Sequence, residues 1–105
     1  MDIIKKLTQI LIERKNKSAD ESYVAKLYSK GTDAILKKIG EESTEYVMAV
    51  KDNDKEKIIY EAADLIFHLY VSLINNDIKP EVVYKELERR FGVSGLEEKK
   101  QRKEK

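Results

Sequence analysis

Apolar residues recur along most of this chain at the three- and four-residue spacing of an amphipathic helix. A polar stretch at residues 15–21 interrupts the pattern and predicts a loop, and no segment alternates like a strand. The spacing predicts helices over about residues 2–14, 22–29, 33–52, 55–75 and 80–91. The chain is therefore predicted to be all-α, a bundle of about five helices.

Capping residues mark the predicted ends of these helices. Gly31 suits a left-handed cap that closes the second helix, and either Thr32 or Asp33 is predicted to cap the start of the third. Asp54 is predicted to cap the fourth helix, after a tight turn at residues 53–54. Pro80 suits the first position of the fifth helix, where a missing N–H costs nothing.

The fourth helix is apolar in nearly every direction, which predicts a subunit interface. Large side chains from Leu65 to Ile74 cover its whole circumference, and such a helix must be buried on all sides. A chain of 105 residues is too short to cover it alone. We therefore expect a four-helix-bundle-like core that is completed by dimerisation, in a homodimer.

Two pairs of carboxylates are the candidate metal ligands of this chain. Glu42 and Glu45 lie one turn apart on the third helix, and Glu61 and Asp64 lie one turn apart on the fourth. Glu42 shares the inward stripe of Ile35, so a positive partner must meet its charge. Four inward carboxylates on neighbouring helices suit Mg²⁺, which takes oxygen ligands and keeps waters for a phosphate substrate. A solvated acidic face is the alternative.

Three neighbours of these carboxylates allow more than one interpretation. His68 is a possible ligand, although a hydrogen-bonded role behind the ligands is favoured. Lys38 is placed either to contact a phosphate or to neutralise a carboxylate. Gly40 inside the third helix indicates either a close approach by backbone or ligand, or a packing requirement.

Composition narrows the setting of this domain. The chain has 105 residues and reads as one domain, residues 1–105, with a charged tail at 93–105. Its net charge of +1 indicates neither nucleic acid nor an anionic membrane as a partner. It has no cysteine, which excludes disulfides and thiolate metal sites. No signal peptide is evident and the longest apolar stretch, residues 62–74, is too short to span a bilayer, so a cytoplasmic protein is expected.

The acidic pattern, Glu-Glu-x-x-Glu followed by Glu-x-x-Asp, resembles that of the all-α nucleotide pyrophosphohydrolases, which include MazG-like proteins and dimeric dUTPases. Further segments narrow the resemblance to the phosphoribosyl-ATP pyrophosphohydrolase family of histidine biosynthesis. These segments are Ser22–Leu27, Lys37–Glu42, Ala63–His68 and Arg90–Lys99. The likeness extends from about Leu7 to Arg102, and Val24 and Tyr28 depart from the usual family residues without touching the acidic motif.

The resemblance implies an enzyme that hydrolyses the α–β phosphoanhydride of phosphoribosyl-ATP to phosphoribosyl-AMP and pyrophosphate. It implies that Glu42, Glu45, Glu61 and Asp64 hold Mg²⁺. Glu41, counted with Glu42 and Glu45 as catalytic, either orients the attacking water or completes the outer shell. The number of metal ions stays open.

The resemblance also implies a set of substrate-binding residues: Arg14, Ser22, Tyr23, Lys26, Lys38, Arg90, Ser94 and Gly95. By spacing alone, the group at the end of the fifth helix reads as an ordinary positively charged helix terminus. In a dimer, the partner subunit is expected to lend residues near Arg14 or Ser94 to each active site.

Two other functions compete with this one. A MazG-like pyrophosphohydrolase that acts on another nucleoside triphosphate would carry the same acidic pattern. A di-iron carboxylate bundle or a structural helical module is the other alternative. Di-iron bundles use Glu-x-x-His, whereas the residue three after Glu61 is Asp64, so that spacing fails.

Overall fold

The computed structural model describes residues 2–91, and these form helices with no strand among them. The predicted all-α class is therefore confirmed. Each of the five predicted helices is present, with its ends within two residues of expectation. They are α1 (Asp2–Glu13), α2 (Tyr23–Lys30), α3 (Thr32–Lys51), α4 (Lys55–Asn75) and α5 (Pro80–Phe91).

Side-chain caps fix the starts of two helices. The Ser22 hydroxyl accepts the Ala25 N–H at 3.2 Å and begins α2. The Asp54 carboxylate accepts the Lys57 N–H at 3.2 Å and begins α4, as its sequence position predicted.

Two boundary predictions were wrong. Neither Thr32 nor Asp33 caps α3, because the cap position is held by Gly31, which has no side chain to donate or accept. Gly31 also closes α2 at φ 96°, so one glycine ends one helix and begins the next. Residues 15 and 16 were predicted to be loop, but they form a turn of 3₁₀ helix with Arg14. Arg14 was predicted to end α1 and belongs to this turn instead.

A short turn folds α4 back along α3. It comprises Asp52, Asn53 and Asp54, and Asn53 takes the left-handed conformation at φ 54° that asparagine tolerates. The buried residues of α3 are Ile35, Glu42 and Ala49, which recur every seven residues along one face. A carboxylate therefore occupies a core position of the hairpin, midway between two apolar ones.

The hydrophobic core lies around the second half of α4. Side chains from four helices meet there, with Leu11 and Val71 both fully excluded from solvent. The full buried cluster is Leu11, Val24, Leu27, Ile35, Tyr70, Val71 and Ile74. The fifth helix joins this core through Tyr84, whose hydroxyl hydrogen-bonds that of Tyr70. This core agrees with the predicted helical bundle, and completion of the bundle by a second subunit stays a prediction.

Away from its core positions, α4 leaves large apolar side chains exposed. Ile59 and Tyr60 are 70% and 67% exposed, and Ile66 and Leu69 also face outward. By length and composition alone, α4 is also a helix that could cross a membrane. It carries Glu61, Asp64 and His68 at mid-length, however, and packs along α3, so the sequence and packing favour a helix of a soluble protein.

Candidate active site

Three carboxylates from α3 and α4 meet where the two helices pack. One oxygen from each of Glu42, Glu45 and Glu61 lies within 4.8 Å of the other two. The hairpin turn explains the meeting, because Glu45 and Glu61 each stand seven positions from it, counted along α3 and α4. Glu42 is buried, Glu61 is half-buried and Glu45 faces solvent. The cluster is therefore a pocket of negative charge that opens on one side.

Two oxygens of this cluster lack any hydrogen-bond partner. They are one carboxylate oxygen (Oε2) of Glu42 and the same oxygen of Glu61, and both are buried. A buried charged oxygen without a partner costs several kcal/mol or forces the group to take up a proton. A divalent cation removes that cost, since its oxygen-ligand preference matches this all-carboxylate set. The donor set thus fits Mg²⁺.

The pKa of Glu61 also indicates that the cluster lacks a positive counter-charge. Burial, followed by the neighbouring Glu45 and Glu42 carboxylates, raises the pKa of Glu61 from its ordinary 4.5 to about 7. Near neutral pH the cluster without a cation therefore holds part of a proton.

Asp64 lies beside this cluster, next to Glu42. Burial raises its pKa, and the neighbouring Glu42 raises it further, while His68 and Lys38 oppose the shift. The carboxyl group thus lies within the field of Glu42, yet it is not one of the three that converge within 4.8 Å. The sequence placed four carboxylates in one site; the structure gathers three of them closely and sets the fourth at the side of Glu42.

Lys38 supplies the cation nearest to the buried carboxylate. Its ammonium group lies 3.3 Å from the second oxygen (Oε1) of Glu42, one helical turn along α3. Of the two roles that the sequence left open, this contact is the neutralising one. A single lysine balances only one of the clustered charges, so the cluster stays negative overall.

Tyr23 and His68 flank the cluster on the side of α2. The Tyr23 hydroxyl lies 2.9 Å from the outer ring nitrogen (Nε2) of His68, and the other ring nitrogen (Nδ1) lies 2.8 Å from the backbone carbonyl of Asp64. Both nitrogens of His68 are therefore engaged within the protein, which is the hydrogen-bonded role that the sequence favoured over ligation.

The substrate residues that the sequence named near the first two helices form a cavity. Arg14, Ser22 and Tyr23 line a space of about 340 Å³ together with Phe67. These three residues line the same cavity of one chain, and a contribution from a partner subunit stays a prediction. Lys26 is exposed on α2, and among the described contacts none brings it to this cavity or to the carboxylates.

Glu41 lies on the solvent side of α3. It lines an open cavity of about 430 Å³ with Glu45 and Gly40. A side-chain carbon added to Gly40 would meet nothing within 4 Å in the described part of the chain. Packing against the described part of this subunit therefore does not explain the glycine.

A further cavity adjoins the cluster, and the sequence interpretation missed it. Met48, Asp52, Lys57 and Tyr60 line about 420 Å³ next to Glu45 and Glu61. The signal was available, because Met48 and Asp52 lie three and seven residues after Glu45 and so share its face. Apolar and aromatic side chains beside an acidic pocket offer a surface for a nucleotide base or sugar.

The end of α5 carries the last of the predicted contacts. Arg90 donates to Glu86 at 3.3 Å, and Arg89 makes two shorter contacts with the same carboxylate, at 2.7 and 3.0 Å. Arg90 is thus held by its own helix. Ser94 and Gly95 lie outside the described residues.

A family profile described as phosphoribosyl-ATP pyrophosphohydrolase matches residues 4–91. The chain belongs to this family. The match includes Glu42, Glu45, Glu61 and Asp64 and the whole α3–α4 hairpin that carries them. It confirms the resemblance found in the sequence.

Individual relatives agree over nearly the full length. A phosphoribosyl-ATP pyrophosphatase of Methylococcus capsulatus is 55% identical over 98% of both chains. One from Vesicomyosocius okutanii is 58% identical over 96% of both chains, and one from Geobacter metallireducens is 54% identical over 96% of this chain and 93% of its own.

Proposed function

We propose that this chain hydrolyses the α–β phosphoanhydride of phosphoribosyl-ATP, giving phosphoribosyl-AMP and pyrophosphate in the second step of histidine biosynthesis. The observation that carries the proposal is the carboxylate cluster of Glu42, Glu45 and Glu61 with its two buried, unpartnered oxygens. Such a cluster on this hairpin fits a divalent cation. Membership of the phosphoribosyl-ATP pyrophosphohydrolase family is the reason for proposing phosphoribosyl-ATP as the substrate.

Mg²⁺ is the proposed cofactor, held by Glu42, Glu45, Glu61 and Asp64. When bound, it would polarise the bridging phosphates and offset the charge on the departing pyrophosphate. Other side chains have supporting roles. Lys38 limits the repulsion inside the cluster through its contact with Glu42.

Glu41 is proposed to orient the attacking water. It is exposed on the open side of the cluster and shares a cavity with Glu45. The water adds its oxygen to a phosphorus of the anhydride, the bridging P–O bond breaks, and the water's proton passes to a carboxylate. Glu41 is the carboxylate of the motif that remains free for this task once the others hold the metal.

The cavities beside the cluster are proposed to hold the two ends of the substrate. Arg14, Ser22 and Tyr23 line one of them, and an arginine there suits a phosphate group. Lys26, Lys38, Arg90, Ser94 and Gly95 complete the proposed substrate-binding set, with Arg90 turning from Glu86 to the substrate.

The reaction is tested by pyrophosphate release from phosphoribosyl-ATP, compared with ATP and other nucleoside triphosphates, each with and without Mg²⁺. We expect release only with Mg²⁺ and at least about a hundredfold preference in kcat/KM for phosphoribosyl-ATP. A higher kcat/KM for another triphosphate would identify the MazG-like alternative. Equal rates without any divalent cation would refute the metal site.

The active unit is proposed to be a cytoplasmic homodimer. Exposed apolar side chains on α3 and α4 support it, among them Val47, Val50, Ile59 and Ile66. Large exposed apolar patches on soluble proteins mark interaction sites. A two-fold pairing of these helices would bury these side chains and would complete the four-helix core.

Sedimentation of two variants tests this assembly. We expect Ile66→Glu to lower both the dimer fraction and turnover, because it places a charge on the proposed interface. Val82→Glu is the matched control, since Val82 is an equally exposed apolar residue on α5. A stable, fully active monomer of the unmodified chain at micromolar concentration would overturn the dimer.

A further inference from the structure

His68 is a buried polar residue to which the proposed reaction gives no task. It is the only histidine of the chain and is 3% exposed. It lies one turn after Asp64, between the rings of Phe67 and Tyr23, which both meet it edge-on. Neither ring nitrogen points at the carboxylates, since both have partners elsewhere. A role other than ligation must therefore explain it.

The two contacts of His68 fix the direction of its hydrogen bonds. The Asp64 carbonyl oxygen can only accept, so the Nδ1 atom that faces it at 2.8 Å carries a proton. In the neutral ring, Nε2 is then an acceptor. The Tyr23 hydroxyl, 2.9 Å away, must donate to it.

Tyr23 connects this arrangement to the carboxylate cluster. Its ring is half exposed at the start of α2, and its phenol lies in the field of Lys38, Glu42 and Asp64. Burial is the main cause that raises its pKa; Lys38 lowers it and the nearby carboxylates raise it further, so the hydroxyl keeps its proton at neutral pH. Since that proton is donated to His68, only the oxygen lone pairs face the site.

We propose that His68 is a positioning residue. It holds the Tyr23 oxygen beside the carboxylate cluster, where that oxygen accepts hydrogen bonds from the waters around the bound divalent cation. The inference rests on the metal site proposed above. Mg²⁺ retains several waters, and these are strong donors that need acceptors. A phenol whose proton is already committed accepts from such waters and rejects a phosphate oxygen, which has no proton to give. Outer partners of this kind tune metal affinity by about 10- to 100-fold.

Nitrogen NMR of the single histidine tests the arrangement without any metal or substrate. Because the chain has one histidine, its two ring-nitrogen signals need no assignment against others. We expect the neutral ring to carry its proton on Nδ1, and Tyr23→Phe to shift the Nε2 signal as the hydrogen bond is lost. The opposite tautomer, or an Nε2 signal unchanged by Tyr23→Phe, would overturn the proposal.

Mg²⁺ binding to the full chain, measured by calorimetry without substrate, tests the consequence. We expect Tyr23→Phe and His68→Leu each to weaken Mg²⁺ binding about tenfold, and the double variant to be no weaker than either single variant. His68→Gln, whose amide oxygen can accept from Tyr23, is expected to recover most of the affinity. Val71→Ala, in the core of the same helix, is the control for lost stability and is expected to bind normally.

The outcomes distinguish a failure of the positioning role from a failure of the proposed Mg²⁺ site. If the unmodified chain does not bind Mg²⁺, the metal site itself fails. If it binds Mg²⁺ and Tyr23→Phe binds equally well, only the positioning role fails. Losses that multiply in the double variant would show that His68 and Tyr23 act separately, which contradicts the proposed connection between them.

Discussion

Carboxylates in two regions of this molecule meet opposite surroundings. On α5, Glu86 accepts hydrogen bonds from Arg89 and Arg90, and these lower its pKa to about 2. On the α3–α4 hairpin, Glu61 has other carboxylates as neighbours and a pKa raised to about 7. The α5 carboxylate has its counter-charges within one helical turn, whereas the hairpin cluster has one lysine for several acids.

The hairpin cluster differs from ordinary surface charges in its lack of counter-charges. The charged fraction of the sequence is 39%, so acidic residues alone indicate little. Glu86 stabilises a helix end with cations supplied by its own helix. Glu42 and Glu61 leave buried oxygens without partners, so the cluster must either take up a proton or receive a cation. The missing partner, and not the negative charge, marks the function.

The largest expected effect follows from removing charge in each region. Glu42→Gln, Glu45→Gln, Glu61→Gln and Asp64→Asn are each expected to lower kcat at least about a hundredfold, because each removes a proposed metal ligand. Glu86→Gln is the matched control and is expected to keep full turnover. Near-normal activity in any two of the four variants would remove the basis for the four-carboxylate site.

Stability without metal is expected to change in the opposite direction to activity. Removing a negative charge from the cluster relieves repulsion, so thermal unfolding of the metal-free Glu61→Gln variant should occur at the same temperature as the parent or higher. Differential scanning calorimetry in a chelating buffer measures this. A marked fall in the unfolding temperature would mean that Glu61 has a stabilising partner that the cluster does not reveal.

The pH dependence of stability should have opposite signs for the two carboxylates. Between its ordinary pKa of 4.5 and about 7, Glu61 binds more proton in the folded than in the unfolded state, so metal-free stability falls as pH rises. Glu86 binds less proton when folded between about 2 and 4.5, so its contribution is lost as pH falls through that range. Unfolding temperature against pH for Glu61→Gln and Glu86→Gln checks both signs; each variant should flatten only its own window.

A smaller effect is expected at the end of α5. If Arg90 leaves Glu86 to contact the substrate, Arg90→Ala should raise KM about tenfold with little change in stability, since Glu86 keeps Arg89. Lys85→Ala is the control for a lost positive charge on the same helix. Kinetics for Arg90→Ala that match the parent would leave this arginine as a helix-end cation only.

The smallest effect is expected at Gly40. Alanine there should raise the free energy of unfolding by about 1 kcal/mol, because a helix prefers alanine and the added carbon meets no neighbour. Chemical denaturation measures the gain. An unchanged or lower stability would contradict the free space that the described residues leave around Gly40.

Helical periodicity was enough to predict most of the fold, and local chemistry explains where it failed. Asp54 and Pro80 mark helix starts by mechanisms that act within a few residues, and both were predicted from the sequence. Ser22 caps α2, although the prediction counted it as the first residue of that helix. The start of α3 was not predicted, because Gly31 took the cap position that either Thr32 or Asp33 was expected to hold. The short turn of 3₁₀ helix at Arg14 was missed because it has no apolar period.

The site was predictable to a similar degree. The inward direction of Glu42 followed from its spacing to Ile35, and its burial confirms that direction. The spacing could not show that Asp64 stands apart from the three converging carboxylates, because that depends on how α4 is rotated against α3. It also could not show that Tyr23 hydrogen-bonds His68 across 45 residues of sequence.

The most direct test of the central claim is whether Mg²⁺ alone stabilises the protein through the hairpin cluster. Thermal unfolding at pH 7.5–8, with and without Mg²⁺ in excess of its dissociation constant, is to be compared for the parent, Glu61→Gln and Glu86→Gln. We expect Mg²⁺ to raise the unfolding temperature of the parent and of Glu86→Gln by several degrees, and to have little effect on Glu61→Gln. An unfolding temperature of the parent that does not respond to Mg²⁺ would contradict the claim that these carboxylates await a cation.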